Sequence, residues 1–168
     1  MSSDLHRSML RAFGRLPRPL RRWVIRLVSP NYTVGAIAVI SRSDGSILLV
    51  RQAYRERWGI PGGLLKRGED PAIGAVREVL EEVGLLVRLE GEPAVVVDAG
   101  PQRVDLVFRA RPADGIAPEI AAPCSPEIEE TRWFPLDALP ELQPETAQAL
   151  VALARSARSP QAHRLSPD

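Results

Sequence analysis

The sequence predicts an α+β domain, a mixed sheet flanked by helices. Three observations predict it: short β-branched runs recur along the chain, two longer segments carry helical periodicity, and turn-forming residues separate them. In order, the stretch from Leu5 to Val28 mixes apolar and basic residues at roughly helical spacing and is interrupted between Gly14 and Pro19, which predicts two short amphipathic helices. Tyr32 to Ile40 is β-branched and alanine-rich around Gly35, and Ile47 to Gln52 follows a Ser43-Asp44-Gly45 turn signal; together they predict a hairpin. Further strand-like runs lie at Leu85 to Leu89, Ala94 to Asp98, Arg103 to Arg111 and Thr131 to Phe134, with helical patterns at Pro71 to Val83 and Pro144 to Arg155. Ser156 to Asp168 is polar with two prolines and reads as a frayed tail. The expected organisation is a basic helical arm over 1–30, one globular domain over 31–155, and a disordered tail over 156–168.

At 168 residues, with 45% apolar and 26% charged residues, the chain is neither disordered nor fibrous in character and can bury a core without covalent staples. Cys124 stands alone, and His6 and His163 are the only histidines, so neither an internal disulfide nor a zinc cluster is expected. A reducing cytoplasm is the expected location, with no membrane span and no secretory signal. The net charge of +1 hides an asymmetry: residues 1–30 carry seven arginines against Asp4, about +6, which leaves the remainder at about −5.

The chemistry concentrates in Gly62-Gly63-Leu64-Leu65-Lys66-Arg67-Gly68-Glu69 and the segment from Asp70 to Leu85, a glycine loop feeding a helix. Asp70 is placed to cap the helix, Pro71 occupies its first position, and Gly84 suits the left-handed residue just past its end. On a helical wheel Ile73, Val76, Leu80 and Val83 form one stripe and Glu78, Glu81 and Glu82 the opposite face. That pattern predicts that the stripe docks and the carboxylates look outward. Glu78 and Glu82, four apart, repel by a few tenths of a kcal/mol, roughly 0.2 to 0.5, unless a cation lies between them. Three carboxylates without histidine or cysteine make a hard oxygen site suited to Mg2+ or Mn2+, ions that also engage phosphates. Gly74 falls on the carboxylate side, where a missing side chain leaves room for metal, water or phosphate.

From Gly63 to Leu85 the chain resembles the complete Nudix box: Gly, five residues, Glu, seven residues, Arg-Glu, an aliphatic, any residue, Glu-Glu, any residue, Gly, an aliphatic. A match at every specified position has a chance on the order of one in ten million at average residue usage, which overturns the ordinary reading of these glutamates as solvated helix charges. The resemblance implies a Nudix fold, an α/β/α sandwich with a central mixed sheet. It implies that Glu78, Glu81 and Glu82 hold divalent metal, joined by the Gly62 backbone carbonyl, and that Glu69 and Arg77 form a structural ion pair bracing loop against helix. Trp58-Gly59-Ile60-Pro61 and Trp133-Phe134-Pro135-Leu136 extend the resemblance on either side. Lys66 departs from it, standing where many members carry another acid, so no metal ligand is expected from that position.

The implied reaction is metal-dependent hydrolysis of a phosphoanhydride in a nucleoside diphosphate linked to another group, with ADP-ribose, nucleotide sugars, nucleoside triphosphates and dinucleoside polyphosphates all left open as substrates. Glu81, Glu82 and a late-loop glutamate carry the catalysis. Glu127 is chosen over Glu119 and Glu130, because six residues before Trp133 it retains loop slack that a strand residue lacks. Arg51 and Arg55 are the candidate substrate-binding residues; the run Arg51-Gln52 with Tyr54-Arg55 resembles one seen in ADP-ribose-cleaving members, and Pro101 lies near a position noted in that subgroup. Trp58 and Trp133 read as packing residues rather than base-stacking platforms. The expected partner is a small nucleotide and not nucleic acid. The arm reads as a docked helix with a solvated basic face, with surface contact through it and a homodimer left open. The alternative function is a catalytically silent Nudix module that binds a nucleotide as a regulatory ligand.

Overall fold

The structure is a computed structural model that describes residues 2–29 and 31–158. The chain divides into two compact units, at Tyr32/Thr33. The first holds two helices, α1 (Ser2–Arg15) and α2 (Arg18–Val28), as the interrupted periodicity predicts. Pro17 separates them and donates no backbone hydrogen bond, while Pro19 sits in the first turn of α2, where its missing N–H costs nothing.

The second unit contains β1 (Thr33–Ile40), β2 (Ile47–Gln52), β3 (Gly62–Leu64), α3 (Pro71–Val83), β4 (Val87–Asp98), β5 (Arg103–Pro112), a short 3₁₀ turn at Pro118–Ile120, β6 (Ile128–Phe134) and α4 (Pro144–Arg158). Four strands form a mixed sheet in the order β3-β1-β5-β4, with β1 parallel to β5 and the outer pairs antiparallel; β2 and β6 form a separate antiparallel pair. The expected hairpin is therefore corrected. The turn after Ile40 is present, with Asp44 accepting from the Ser46 N–H at 2.8 Å, but beyond a single bridge at Ser41 and Ile47 the chain crosses from one sheet to the other. Longer partners prevail, since β1 pairs along its whole length with β5 and β2 along its whole length with β6.

Strand alternation explains the layers. Ala38 and Ile40 of β1 with Leu48 and Val50 of β2 face Val79 and Val83 of α3, whereas Ile37 of β1 with Ile47 and Leu49 of β2 face Ala149 and Leu153 of α4. With helices covering opposite faces, the arrangement is the expected α/β/α sandwich, and Ile47 to Val50 can be apolar at every position because both faces are buried. The two runs expected at Leu85–Leu89 and Ala94–Asp98 are one strand, β4, interrupted by a register shift between Glu90 and Ala94 around Gly91. Helix α4 continues through Arg158, so 156–158 are helical rather than tail; the rest of the expected tail lies outside the described residues.

The face of α3 also differs from the wheel. Ala75, Val79, Glu82 and Val83 are buried, while Ile73 and Leu80 are exposed at 65% and 48%. The helix is rotated relative to the expected stripe, because the loop before it packs Leu65 over Gly74 and the sheet receives Ala75 and Val79.

Candidate active site

Both ends of α3 are fixed locally. Asp70 accepts from the Ala72 and Ile73 N–H groups at 2.9 and 3.2 Å, and Gly84 closes the helix at φ 65°. Ahead of it, β3 lies antiparallel to β1 and brings Gly62 and Gly63 against the carboxylate turns of the helix. Gly62 has φ 147°, and a side chain there would meet the Ala36 backbone oxygen at 2.5 Å; a side chain on Gly63 would meet the Glu78 carboxylate at 2.6 Å. The first glycine thus lets the strand turn into the site, and the second leaves the space that Glu78 occupies. Gly74 serves a different end from the one expected: its missing side chain makes room for Leu65, not for metal or phosphate.

Arg77 organises the acids. Its Nε and Nη2 donate to the two oxygens of Glu69 at 2.6 and 2.9 Å, and its Nη1 donates to Glu78 at 2.8 Å and to Glu81 at 3.0 Å. The paired hydrogen bonds from Arg77, aided by the Lys66 N–H, hold the Glu69 carboxyl at about 2, so the loop-to-helix brace stays charged throughout the physiological range. Lys66 reaches Glu81 at 3.7 Å, a cation where an acid was the alternative.

Glu82 is the exception to the outward-facing acids. It is 7% exposed, and its Oε2 accepts from the Gly62 N–H at 2.9 Å. Burial pushes its carboxyl up to about 7; the Gly62 hydrogen bond opposes the shift, while Glu78, Glu127 and Glu81 add to it by repulsion. A buried acid surrounded by acids is electrostatically unfavourable by itself and is stabilised by a cation.

Glu78, Glu82 and Glu127 line one cavity of about 460 Å³ together with Gly62, Gly63, Gln52, Tyr54 and Arg55. Residues remote in sequence join them: Arg103 and Asp105 of β5, Gln143 just before α4, and Glu145 and Thr146 at its start. A smaller cavity of about 190 Å³ adjoins it, sharing Arg55, Arg103, Asp105 and Glu145 and adding Asp98 and Pro101, but none of the box residues. The combined space is acidic at the box, while the far lobe carries Arg55 and Arg103, paired with Glu145 and Asp105, together with Asp98.

A model of the NUDIX domain matches residues 31–154, most of the chain. The chain belongs to the Nudix family. A MutT Nudix hydrolase of known structure from Burkholderia pseudomallei is 32% identical, superimposes with a TM-score of 0.60, and is matched over 73% of this chain and 98% of its own. A MutT-like protein of Streptomyces ambofaciens is 37% identical over 52% of this chain and 56% of its own length. A Streptomyces rubellomurinus hydrolase of CMP-5'-(N-acetyl-N-hydroxy-3-aminopropyl)phosphonate is 36% identical over 64% of this chain and 53% of its own. The match thus spans about half the length of these curated relatives.

Nudix hydrolases generally use divalent metal, and the donors here fit one in kind: carboxylates and a backbone carbonyl around a cavity, with no soft ligand. Their present positions do not enclose an ion. Among the described residues no three acids, histidines or cysteines converge on a point, because Arg77 holds Glu78 and Glu81 while Gly62 holds Glu82. The clearance at Gly63 and the repulsion around Glu82 are what such an ion would use.

Not every expected site residue reaches this Nudix cavity. Glu81 stays outside its lining, half exposed, on Arg77 and Lys66. Arg51 is also outside: Glu129 takes its Nη1 at 2.8 Å and Glu130 its Nη2 at 3.1 Å, a consequence of the β2–β6 register that sets Arg51 opposite Glu130. Arg55 does line the cavity, held loosely by Gln143 and Glu145 at 3.4 and 3.3 Å. Glu127 lines it as well, though the reason offered for it is corrected. β6 begins at Ile128, three residues earlier than expected, and the Ala53 N–H binds the Glu127 carbonyl at 2.9 Å, so this residue is anchored at a strand end rather than slack. Trp58 packs edge-on against Phe134 at 4.9 Å and Trp133 beneath Arg42, and neither lines the cavity.

Sequence reasoning missed Arg103 and Asp105. Arg103 Nε donates to both Asp105 oxygens at 2.9 and 2.8 Å, and Asp105 is buried opposite Gly35, whose missing side chain its carboxylate fills. The available signal was an Arg-x-Asp pair on one face of a strand beside a strand-interior glycine. It points to close approach across the sheet but not to which cavity that face opens.

Proposed function

We propose that this chain is a divalent-metal-dependent hydrolase that cleaves a phosphoanhydride bond in a nucleoside diphosphate linked to another group. The observation that carries the reading is a single cavity with Glu78, Glu82 and Glu127 at one end and Arg55 and Arg103 toward the other. Carboxylates repel a polyphosphate unless cations intervene, whereas an arginine that keeps one carboxylate partner still has N–H groups to offer its oxygens, as Arg55 beside Glu145 and Arg103 beside Asp105 do, so the two ends suit different parts of one elongated anion.

Glu78, Glu82 and the Gly62 carbonyl would hold the cation, Mg2+ or Mn2+, with Glu81 added once it leaves Arg77. Bound there, divalent metal supplies Lewis-acid stabilisation of the phosphoryl oxygens and lowers the pKa of water. The residues do the rest. Arg77, pinned by Glu69, keeps α3 and the glycine loop in register, so the backbone is in place and only carboxylate side chains have to turn on binding. Glu127, anchored through its backbone but exposed at its side chain, accepts the proton from the attacking water. The water oxygen bonds to one phosphorus, the bridging P–O bond breaks, and the bridging oxygen departs with the other phosphate. Arg103, oriented by Asp105, and Arg55 bind the portion of the substrate beyond the scissile bond. That the Streptomyces rubellomurinus relative is named for a CMP-linked substrate supports a nucleotide at this site.

The test is turnover of ADP-ribose, nucleotide sugars, nucleoside triphosphates and dinucleoside polyphosphates with Mg2+ or Mn2+, with products identified by mass in isotopically labelled water. Two phosphate-bearing products, one of them labelled, are expected from at least one compound. Tight nucleotide binding with no metal-dependent turnover of any would refute hydrolysis in favour of a silent module.

A further inference from the structure

The catalytic reading leaves the helical unit without a role, yet its surface has a definite chemistry. On α2, Leu20, Trp23 and Leu27 recur three and seven residues apart and so share a face; they are exposed at 43%, 58% and 64%. Arg18 lies on the opposite face with Arg21 and Arg22 on either side of it and Ile25, exposed at 45%, among them, while on α1 the exposed residues Arg7, Arg11 and Arg15 repeat every four residues. Among the described residues none of these six arginines forms an ion pair, and the sequence supplies the unit with one acid, Asp4. An apolar face and unneutralised cations thus sit on opposite sides of the same short helix.

We propose that this unit binds anionic phospholipid surfaces, with α2 lying in the plane of the bilayer interface, Leu20, Trp23 and Leu27 entering the acyl boundary and the arginines meeting the headgroup phosphates. Charge complementarity selects the lipid: about +6 over residues 1–30 attracts an anionic leaflet and gains little from a zwitterionic one. The exposed indole adds a group that favours the boundary between headgroup and hydrocarbon. The helix lies on the membrane rather than through it, since at about 1.5 Å per residue its 11 residues reach roughly half the hydrocarbon thickness, and no helix among the described residues is long and apolar enough to cross. An RNA partner would use the arginines but has no use for the apolar face. The remainder of the chain, at about −5, would attract the unit to a second copy, and that outcome is separable by experiment.

The full chain is sedimented with vesicles of phosphatidylcholine alone and of phosphatidylcholine mixed with phosphatidylglycerol, without nucleotide or metal. Binding to the mixed vesicles at least about tenfold tighter than to the neutral ones is expected, with a blue shift of tryptophan fluorescence that disappears in Trp23→Ala. At about fivefold per arginine, Arg18→Glu with Arg22→Glu weakens binding by at least tenfold. Leu27→Gln gives an independent variant if Trp23→Ala alters the fold, as judged by circular dichroism. Equal binding to both vesicle types, or to neither, overturns the proposal. So does tighter binding of single-stranded RNA than of mixed vesicles, or light scattering that shows a dimer which the Leu27→Gln variant converts to monomer while vesicle binding is unchanged.

Discussion

Replacing Glu82 with glutamine separates the cost of the site from its use. The wild-type carboxyl is raised to about 7 from an ordinary 4.5, chiefly by burial, so the folded chain binds this proton more tightly than the unfolded chain does. For an acid shifted upward the stability contribution is intact below about 4.5, declines as the pH rises toward 7, and is flat above. At about 1.4 kcal/mol per pH unit the loss approaches about 3.5 kcal/mol at most, a ceiling because neighbouring groups and solvent relax around the charge. Glutamine keeps the shape, can still accept from the Gly62 N–H, and carries no charge toward Glu78 and Glu127. In chelator at pH 8 the Glu82→Gln chain should therefore be more stable than wild type by up to about 3.5 kcal/mol, a rise in melting temperature on the order of 5 to 10 °C, and the difference should vanish near pH 4. Turnover with metal should fall by roughly 10²-fold or more. Thermal melts with and without chelator across that pH range, beside steady-state kinetics, measure both effects. A variant that is less stable than wild type at pH 8 without metal, or that retains more than about a tenth of the rate, would refute the reasoning.

Gly63→Ala should lower turnover at least tenfold with little loss of stability, read from kinetics and melts together, because the new methyl displaces the movable end of Glu78 rather than backbone. Gly62→Ala should instead destabilise the fold by about 2 kcal/mol in denaturant titration, since it meets the Ala36 carbonyl and strains a φ of 147°. Glu127→Gln should reduce kcat sharply with little change in KM, whereas Glu119→Gln and Glu130→Gln, outside the cavity lining, should stay close to wild type; the reverse order would move the proton acceptor to another residue. Deleting residues 1–28 should leave turnover of a soluble nucleotide near wild type, and its loss in a folded chain would show that the helical unit shapes the site.

The parts of this protein legible in the sequence are those set by short-range chemistry. Asp70, Pro71 and Gly84 mark the ends of α3 because a cap is a hydrogen bond or a backbone angle within a few residues, and the Glu69–Arg77 brace spans one loop and two helical turns. The box motif carried the family because its spacing is itself the geometry of a loop docked on a helix. Tertiary structure decided what spacing cannot encode. A helical wheel ranks faces by polarity but does not see what packs on them, so it turned Glu82 outward, whereas the loop and sheet bury it and raise its pKa. The Ser43-Asp44-Gly45 turn suggested a hairpin, but strand pairing is a competition among distant segments, and β5 and β6 offered longer ladders. That same register gave Arg51 to Glu129 and Glu130, brought Arg103 and Asp105 from β5 to the cavity, and left Glu127 at its edge. The sequence by itself determined the family and the capped helix that carries the box acids; only the folding of remote strands onto one another decided which charges are buried, which are already paired, and which line the cavity.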